Sequence, residues 1–587
     1  MGLLGFGKKS AAKPPPVPPG NPFDAIAYEE NSPLTYAVRF AEKAGRDSTG
    51  PYELASVAKA FLEQGDIDRA LKTILQITTP RDGLIIHYVG ELFRLWIAKF
   101  PEHEERINAT AKLIVTEAVN PTPKWRTKPA PWAHDHFFIG LACEWAEQQR
   151  WSAAQKNVAL IAFDNLRSLA LSHIANTSLK SQGVAAALNW FNQAKTVEYA
   201  GEFLEELANH ELSSENIDAV DRRLSSCAPV QARFLATLAR RAFRRGLSDE
   251  AGRLWDRAVP IAESGHPQSW EMVKPLTDLL CLTRPLERTH REETLIVRLL
   301  GSCRAANDVS EAKGGGPGWL SADAFVELTL NGREDLAERI AGSLVSVSNY
   351  KSVVAPDAWE EMLKASWLEV HANTAPLMKI ERVVEQLRGH EYEVPYCAAL
   401  ARRYERENLP GKAASWWARL RGLLNGDKPL NRGDIARDLA RHYLEADSPE
   451  GVMELLAAYA PVSYEILTRY LIEADLAARL FKHGQIERAR QILDEIRSQF
   501  PTLKPAQNRS IAVQKVLLVL GAAGYWEEAL QIFDEVLAHE SDAEFQPCAN
   551  RIGKELCLLL ASQPDSWTGA IASRIDLLSI KLKGTGE

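Results

Sequence analysis

Cysteine is sparse and unordered in this chain of 587 residues. Cys143, Cys227, Cys281, Cys303, Cys397, Cys548 and Cys557 are odd in number, scattered, and form no C-x-x-C pair. This excludes a disulfide framework and a zinc ribbon and favours a reducing compartment. Sites such as Leu556-Cys557-Leu558-Leu559 read instead as small buried hydrophobes. Long apolar runs are missing as well: 84–100 is broken by Glu91 and Arg94, and 516–526 is too short, so no membrane span is expected. The opening Met1–Lys9 places its lysines after a short apolar stretch, unlike a secretory signal. Phe6 stands where a myristoylation site needs Ser or Thr. A soluble cytoplasmic protein is the expectation. Excess positive charge is also lacking: 69 Lys and Arg face 77 Asp and Glu, a net charge of −8. That argues against a chain whose main task is coating nucleic acid or an anionic membrane. Sustained period-two alternation is scarce, so strands are not expected.

What is present is an ordinary folded composition, 46% hydrophobic and 25% charged with mean hydropathy −0.22, and an unusual 15 Trp. Length alone implies about four ordinary domains. The first 23 residues hold Lys8, Lys9 and Lys13, no acid, and the run Pro14-Pro15-Pro16-Val17-Pro18-Pro19, leaving −11 on residues 24–587. Such a run prefers extended polyproline II over helix. It reads as a flexible arm with P-x-x-P matches that a Pro-recognising domain or an acidic partner could hold.

Beyond the arm, helical signals dominate, and they repeat as short cassettes. Gly65 is followed five residues later by Ala70, Gly246 by Ala251, Gly332 by Ala337, Gly484 by Ala489 and Gly524 by Ala529. The Gly suits a left-handed turn that ends one helix. The small residue five positions on lets the next helix approach closely, and a large apolar residue four positions later (Ile74, Trp255, Leu493, Phe533) fills the groove between units. Ala58, Ala239 and Ala477, seven residues before the Gly, match on the first helix. Degenerate copies fall at Gln149 with Ala154, Gly183, Asn373, Asn408 with Ala413 and Trp417, and Asp447 with Val452. Turns at 332, 373, 408, 447, 484 and 524 are spaced by 41, 35, 39, 37 and 40 residues, which marks a helical repeat array.

These cassettes resemble tetratricopeptide repeats. The Gly484 unit matches best, with Ala477, Leu480, Gly484, Ile486, Ala489, Leu493 and Pro501 in the pattern's places. Spacings longer than the family's and the rarity of the closing Pro are departures. The resemblance implies an all-α fold, an irregular α-solenoid of stacked antiparallel helix pairs, about a dozen units long. It implies nothing about a ligand, because the motif encodes packing. The expected organisation is a disordered basic arm at 1–29, a helical-repeat segment at 30–312, a Gly-rich break at 313–320, a second repeat segment at 321–580 and a tail at 581–587.

Motifs of chemistry are absent or incomplete. The run Gly314-Gly315-Gly316-Pro317-Gly318 lacks the strand, the following Lys and the Ser or Thr of a phosphate loop. His134-Asp135-His136 is the only tight His pair, and a helix would point its rings apart. No nucleophile elbow or related set occurs. No cofactor, metal or catalytic residue is therefore assigned, and the chain is not expected to be an enzyme. The runs Arg402-Arg403-Tyr404-Glu405-Arg406-Glu407 and Arg240-Arg241 with Arg244-Arg245 read as solvated helix faces, the latter also suited to an acidic tail. The sharpest surface candidate is Lys124, Trp125, Arg126 and Lys128 with Trp132, in the proline-dense stretch 119–133, where interleaved cations and aromatics suit a protein contact or nucleic-acid stacking, beside the plainer reading that both Trp fold back to cover the adjoining helices.

The leading expectation is a non-catalytic scaffold or adaptor that presents a solenoid surface to a partner helix or peptide. An architectural subunit of a larger assembly is the alternative. An RNA-binding repeat is disfavoured by the acidic body, and an enzyme with a dispersed site is disfavoured by the lack of motifs.

Overall fold

A computed structural model of the chain describes residues 25–44, 50–76, 82–116, 131–266, 269–311, 319–347, 358–390, 392–424, 432–459, 461, 465–539 and 545–582. Among them are 29 α-helices, a few 3-10 turns and no strand. No helix among the described residues is long and apolar enough to cross a membrane. Most of the arm, the Gly-rich run 313–318 and the last five residues lie outside the described residues. Trp319 and Leu320 open the helix Trp319–Leu330.

The chain forms two compact units, one of Met1–Ile161 with Gln546–Glu587, the other of Ala162–Phe545. Each is a stack of antiparallel helix pairs. In the second unit, Ala228–Arg244 packs on its partner Ser248–Ser264 and also on Val273–Thr283, the first helix of the next pair. That helix in turn packs on Trp319–Leu330. Contact within a pair and between successive first helices defines an all-α solenoid.

One turn geometry recurs through both units. Gly65, Gln149, Gly246, Glu287, Gly332, Asn408, Asp447, Gly484 and Gly524 all take left-handed backbone, with φ between +57° and +88°. After each, the next N–H donates to the carbonyl five residues back at 2.7–2.9 Å, as in Gln485 to Leu480 and Arg150 to Trp145. This is the Schellman closure, which satisfies a carbonyl that the end of the helix leaves without an intrahelical donor. Five residues after the turn, Ala70, Ala154, Ala251, Ala337, Ala413, Val452, Ala489 and Ala529 are all buried. Trp255, Trp417 and Phe533 fill the grooves beyond them.

Asn373 departs from the degenerate copies. It lies in a longer link between Ala358–His371 and Leu377–Gln386, has no left-handed φ, and its neighbours Thr374 and Ala375 both bond back to the His371 carbonyl. Pro376 then stands at the N-cap of the following helix. Conversely, Glu287 adopts the left-handed turn although nothing about glutamate signals it.

Successive pairs of the second unit are tied by arginines. Arg241, Arg403 and Arg479 each stand five residues before a left-handed turn, and each reaches back to turn carbonyls of the preceding pair. Arg241 donates to the Ala208 and His210 carbonyls, Arg403 to those of Ala372 (3.2 Å) and Ala375 (2.5 Å), and Arg479 to that of Leu444. A charged donor thus satisfies carbonyls at the ends of helices, where the macrodipole also favours a cation.

In the first unit, helices from the two ends of the chain meet. Pro33–Ala44 packs on Gly569–Lys581. Gly553 lies so close to the Phe40 ring that a Cβ there would stand 2.8 Å from it. Lys43 donates to the Leu582 carbonyl at 3.0 Å, and Tyr36 to Asp576 at 3.1 Å. Residues 26–28 are also held in this unit, with the Tyr28 hydroxyl bonding Thr73 and Gln76 at 3.0 Å.

Candidate functional site

The second unit encloses a cavity of about 730 Å³, within the range of ligand sites. Its wall is assembled mainly from successive first helices: Asp164–Gln182, Gly201–Ala208, Ala228–Arg244, Val273–Thr283, Trp319–Leu330 and Ala358–His371. The repeat geometry thus gathers side chains from residues 169 to 379 onto one concave face.

The floor is ionic and inward-facing. Arg240, nearly buried, donates to Asp278 at 2.5 Å and to Glu327 at 2.9 Å. Lys379 also donates to Glu327, and its ammonium stands 5.1 Å from the centre of the buried Trp367 ring. Lys274 lies 3.7 Å from Asp278, and His371 is hydrogen-bonded to Asp323 at 2.7 Å. Burial raises the Asp278 carboxyl, but Lys274 and Arg240 outweigh it and hold the group ionised, below its ordinary range. Burial pushes the Lys379 ammonium down, with Lys274 and Arg240 adding to it, to about 8.

The rim is different. Tyr199, Trp270, Trp319 and Val370 expose between 43% and 52% of their surface. Around them stand Glu198, Glu202 and Glu271, for which no described cation lies within ion-pair distance. The cavity's cations are engaged elsewhere: Arg233 on Glu205 at 2.8 Å, Lys274 on Asp278, and Lys379 on Glu327. Burial, and then the neighbouring Glu198, raise the Glu271 carboxyl above its ordinary value. The Asn176 carbonyl oxygen on the same wall is buried and accepts no hydrogen bond from a described residue.

The sequence candidates lie elsewhere. Lys124, Trp125, Arg126 and Lys128 are outside the described residues, and Trp132 falls in the first turn of the helix Pro131–Glu147. His134, Asp135 and His136 lie on that same helix. Asp135 is buried and 3.2 Å from the His134 ring nitrogen, and no group of three metal-ligating side chains occurs among the described residues.

The two charge runs are solvated only in part: Arg244, Arg245, Glu405, Arg406 and Glu407 are exposed and Arg403 pairs with Glu407 at 3.4 Å, but the other members turn inward. Arg240 is nearly buried beneath the cavity, and Arg241 clasps the preceding pair. Burial and then Arg240 lower the Arg244 guanidinium, while Arg245 pairs with Glu211 at 3.0 Å. In the other run, Arg402 bonds Asp438 at 2.8 Å, Tyr404 is buried, and Glu405 accepts from the Trp417 indole at 2.8 Å. These side chains join repeats because the phase of an irregular helix turns part of each run toward its neighbour.

Sequence reasoning missed Trp270 and Trp319. A signal existed: neither stands at the groove-filling position of a cassette, and each opens a helical segment just after a Pro- or Gly-containing break.

No protein-family model matches the chain, and no curated protein does. Among solved structures the chain is similar to one described as a circular tandem repeat protein with novel repeat topology and enhanced subunit contact surfaces. The two share 12% identity over 94% of this chain and 97% of that one, with a TM-score of 0.11. A score of that size does not establish a shared arrangement of repeats. The class stated here, a helical-repeat solenoid, stands on the chain's own helix pairing.

Proposed function

We propose that the chain is a non-catalytic, tetratricopeptide-like interaction module, and that the cavity of the second unit docks a segment of another protein. The carrying observation is the set of exposed rings, Tyr199, Trp270 and Trp319, on a concave wall. Large aromatics supply most of the binding energy at protein contacts, above all where a pocket excludes water around them. Here Trp319 opens an α-helix, Trp270 stands on a 3-10 turn and Tyr199 on the turn before Gly201–Ala208, all attached to the packed helices of the stack, so little ordering is needed on binding. The seven free cysteines suit a reducing, cytoplasmic setting.

The test is selection from a random peptide library displayed on phage, run in parallel against the full chain and its W270A/W319A variant. The expected result is a family of peptides that bind the full chain and are lost on the variant. Selected peptides that bind both proteins equally would remove the cavity from the function.

A further inference from the structure

We infer that the segment filling this cavity carries Lys or Arg side chains set between apolar ones, its cations meeting Glu198, Glu202 and Glu271 while its apolar side chains cover Tyr199, Trp270 and Trp319. The inference rests on the docking reading above and adds the chemistry of the partner.

Three independent features lead to a cation. The first is charge left over. Each lysine and arginine lining the cavity stands within 4 Å of another carboxylate, Arg233 of Glu205, Lys274 of Asp278 and Lys379 of Glu327, whereas no described cation comes that close to the three rim glutamates, Arg233 acting on Glu202 only at longer range. An acidic segment would meet those glutamates as like charges, which costs far more than a neutral contact. The second is acceptor chemistry. The buried Asn176 carbonyl oxygen lacks a described donor, and with the three carboxylates it makes this wall a set of acceptors. A Lys or Arg head supplies several donors and no acceptor.

The third is the rings themselves. A lysine or arginine presents an apolar stem below its charge, so it can lie along an indole while its head reaches a carboxylate, and an aromatic face attracts the cation directly. Trp270 and Glu271 are adjacent on the 3-10 turn Trp270–Met272, and Tyr199 follows Glu198, so ring and carboxylate come in pairs. A lone small cation would leave the second and third rings uncovered. A chain alternating cationic and apolar side chains covers both kinds of group.

The experiment uses the full chain and three fluorescein-labelled nonapeptides, alternating Lys/Leu, Gln/Leu and Glu/Leu, read by fluorescence anisotropy, with spermidine as a separate titrant. The Lys/Leu peptide is expected to bind roughly tenfold more tightly than Gln/Leu, with Glu/Leu weakest. Raising salt from about 50 to about 300 mM should erase most of that preference, because exposed charges are then screened. The E198Q/E271Q variant, altered only at exposed residues, should bring Lys/Leu down to the level of Gln/Leu.

Equal or tighter binding of Gln/Leu or Glu/Leu, still lost on W270A/W319A, overturns the cationic partner and leaves the docking reading standing. Lys/Leu binding unchanged on W270A/W319A overturns both. Spermidine binding as tightly as Lys/Leu replaces the peptide with a small polycation, and no binding by any probe overturns the inference.

Discussion

Lys554 donates to Glu53 at 2.5 Å with both side chains almost wholly buried, joining the helix Phe545–Ala561 to the helix Gly50–Glu63. Ser56 (3.1 Å) and Glu555 (2.6 Å) also accept from the ammonium, and Arg551 approaches Glu53 at 3.2 Å. A buried ion loses its hydration, so removing one partner strands the other. Arg551 still faces Glu53, so Lys554→Met is expected to cost the first unit about 3 kcal/mol, the low end for a broken buried pair. Replacing both Lys554 and Glu53 by apolar residues should cost distinctly less. Urea-unfolding midpoints of the two variants decide this, and equal losses would show that the ion pair is not the cause.

The turns offer a prediction of opposite signs. A Cβ at Gly484 would meet nothing within 4 Å, so Gly484→Ala is penalised only through its φ of +71°. The expected loss is about 1 kcal/mol. At Glu287 (φ +57°) the native side chain already carries that strain. Glu287→Gly should stabilise by up to about 1 kcal/mol after the added freedom of the unfolded chain is allowed for. Thermal unfolding of both single variants tests the pair, and a destabilised Glu287→Gly would refute the assignment.

The arginine clasp predicts a cost that charge alone does not explain. Arg403→Met retains an apolar stem but abandons the Ala372 and Ala375 carbonyls, and is expected to lose about 2 kcal/mol. Lys at 403 retains one donor direction in place of the guanidinium fork and should recover part of it. Hydrogen exchange of amides in Ala358–His371 and Leu377–Gln386 reports whether the loss is local to the clasped pair.

Lys379 sets a pH dependence whose direction is fixed. Its ammonium titrates near 8 in the folded chain against 10.5 ordinarily, so between those values the unfolded chain holds a proton that the folded one lacks. Stability from this group therefore rises with pH across that window, and the strain of the protonated form is fully present below about 8. In Lys379→Met this contribution vanishes. The difference in unfolding free energy between native chain and variant, followed from pH 7 to 10, should grow in favour of the native chain; a flat difference counts against the assignment.

The paired-helix architecture was readable because its turns demand rare residue types at fixed offsets. Gly484, Ala489 and Leu493 declare a left-handed stop, a close approach and a groove-filler within ten residues. The link at Asn373 escaped that reading because a longer connection with Pro376 closes without left-handed backbone. The cavity was not readable, since its residues come from separate helices more than two hundred positions apart in all. Nor was the burial of Arg240: a run of arginines looks solvated until the neighbouring Asp278 and Glu327 are known to face it. Trp270 and Trp319 could be separated from the packing tryptophans only by failing the cassette register.

Arg241 and Arg403 reach the preceding pair through main-chain carbonyls alone, while Arg479 adds the Asp447 carboxylate at 2.8 Å. For the first two, any pair that ends its first helix with free carbonyls is an acceptable neighbour, whatever side chains its turn carries. Such joints make the stack modular: a unit could be copied, lengthened or excised, and the arginine behind it would still find its acceptors. The uneven spacing of the turns is what such tolerant joints permit. Side chains away from these joints are then left free to vary from one unit to the next.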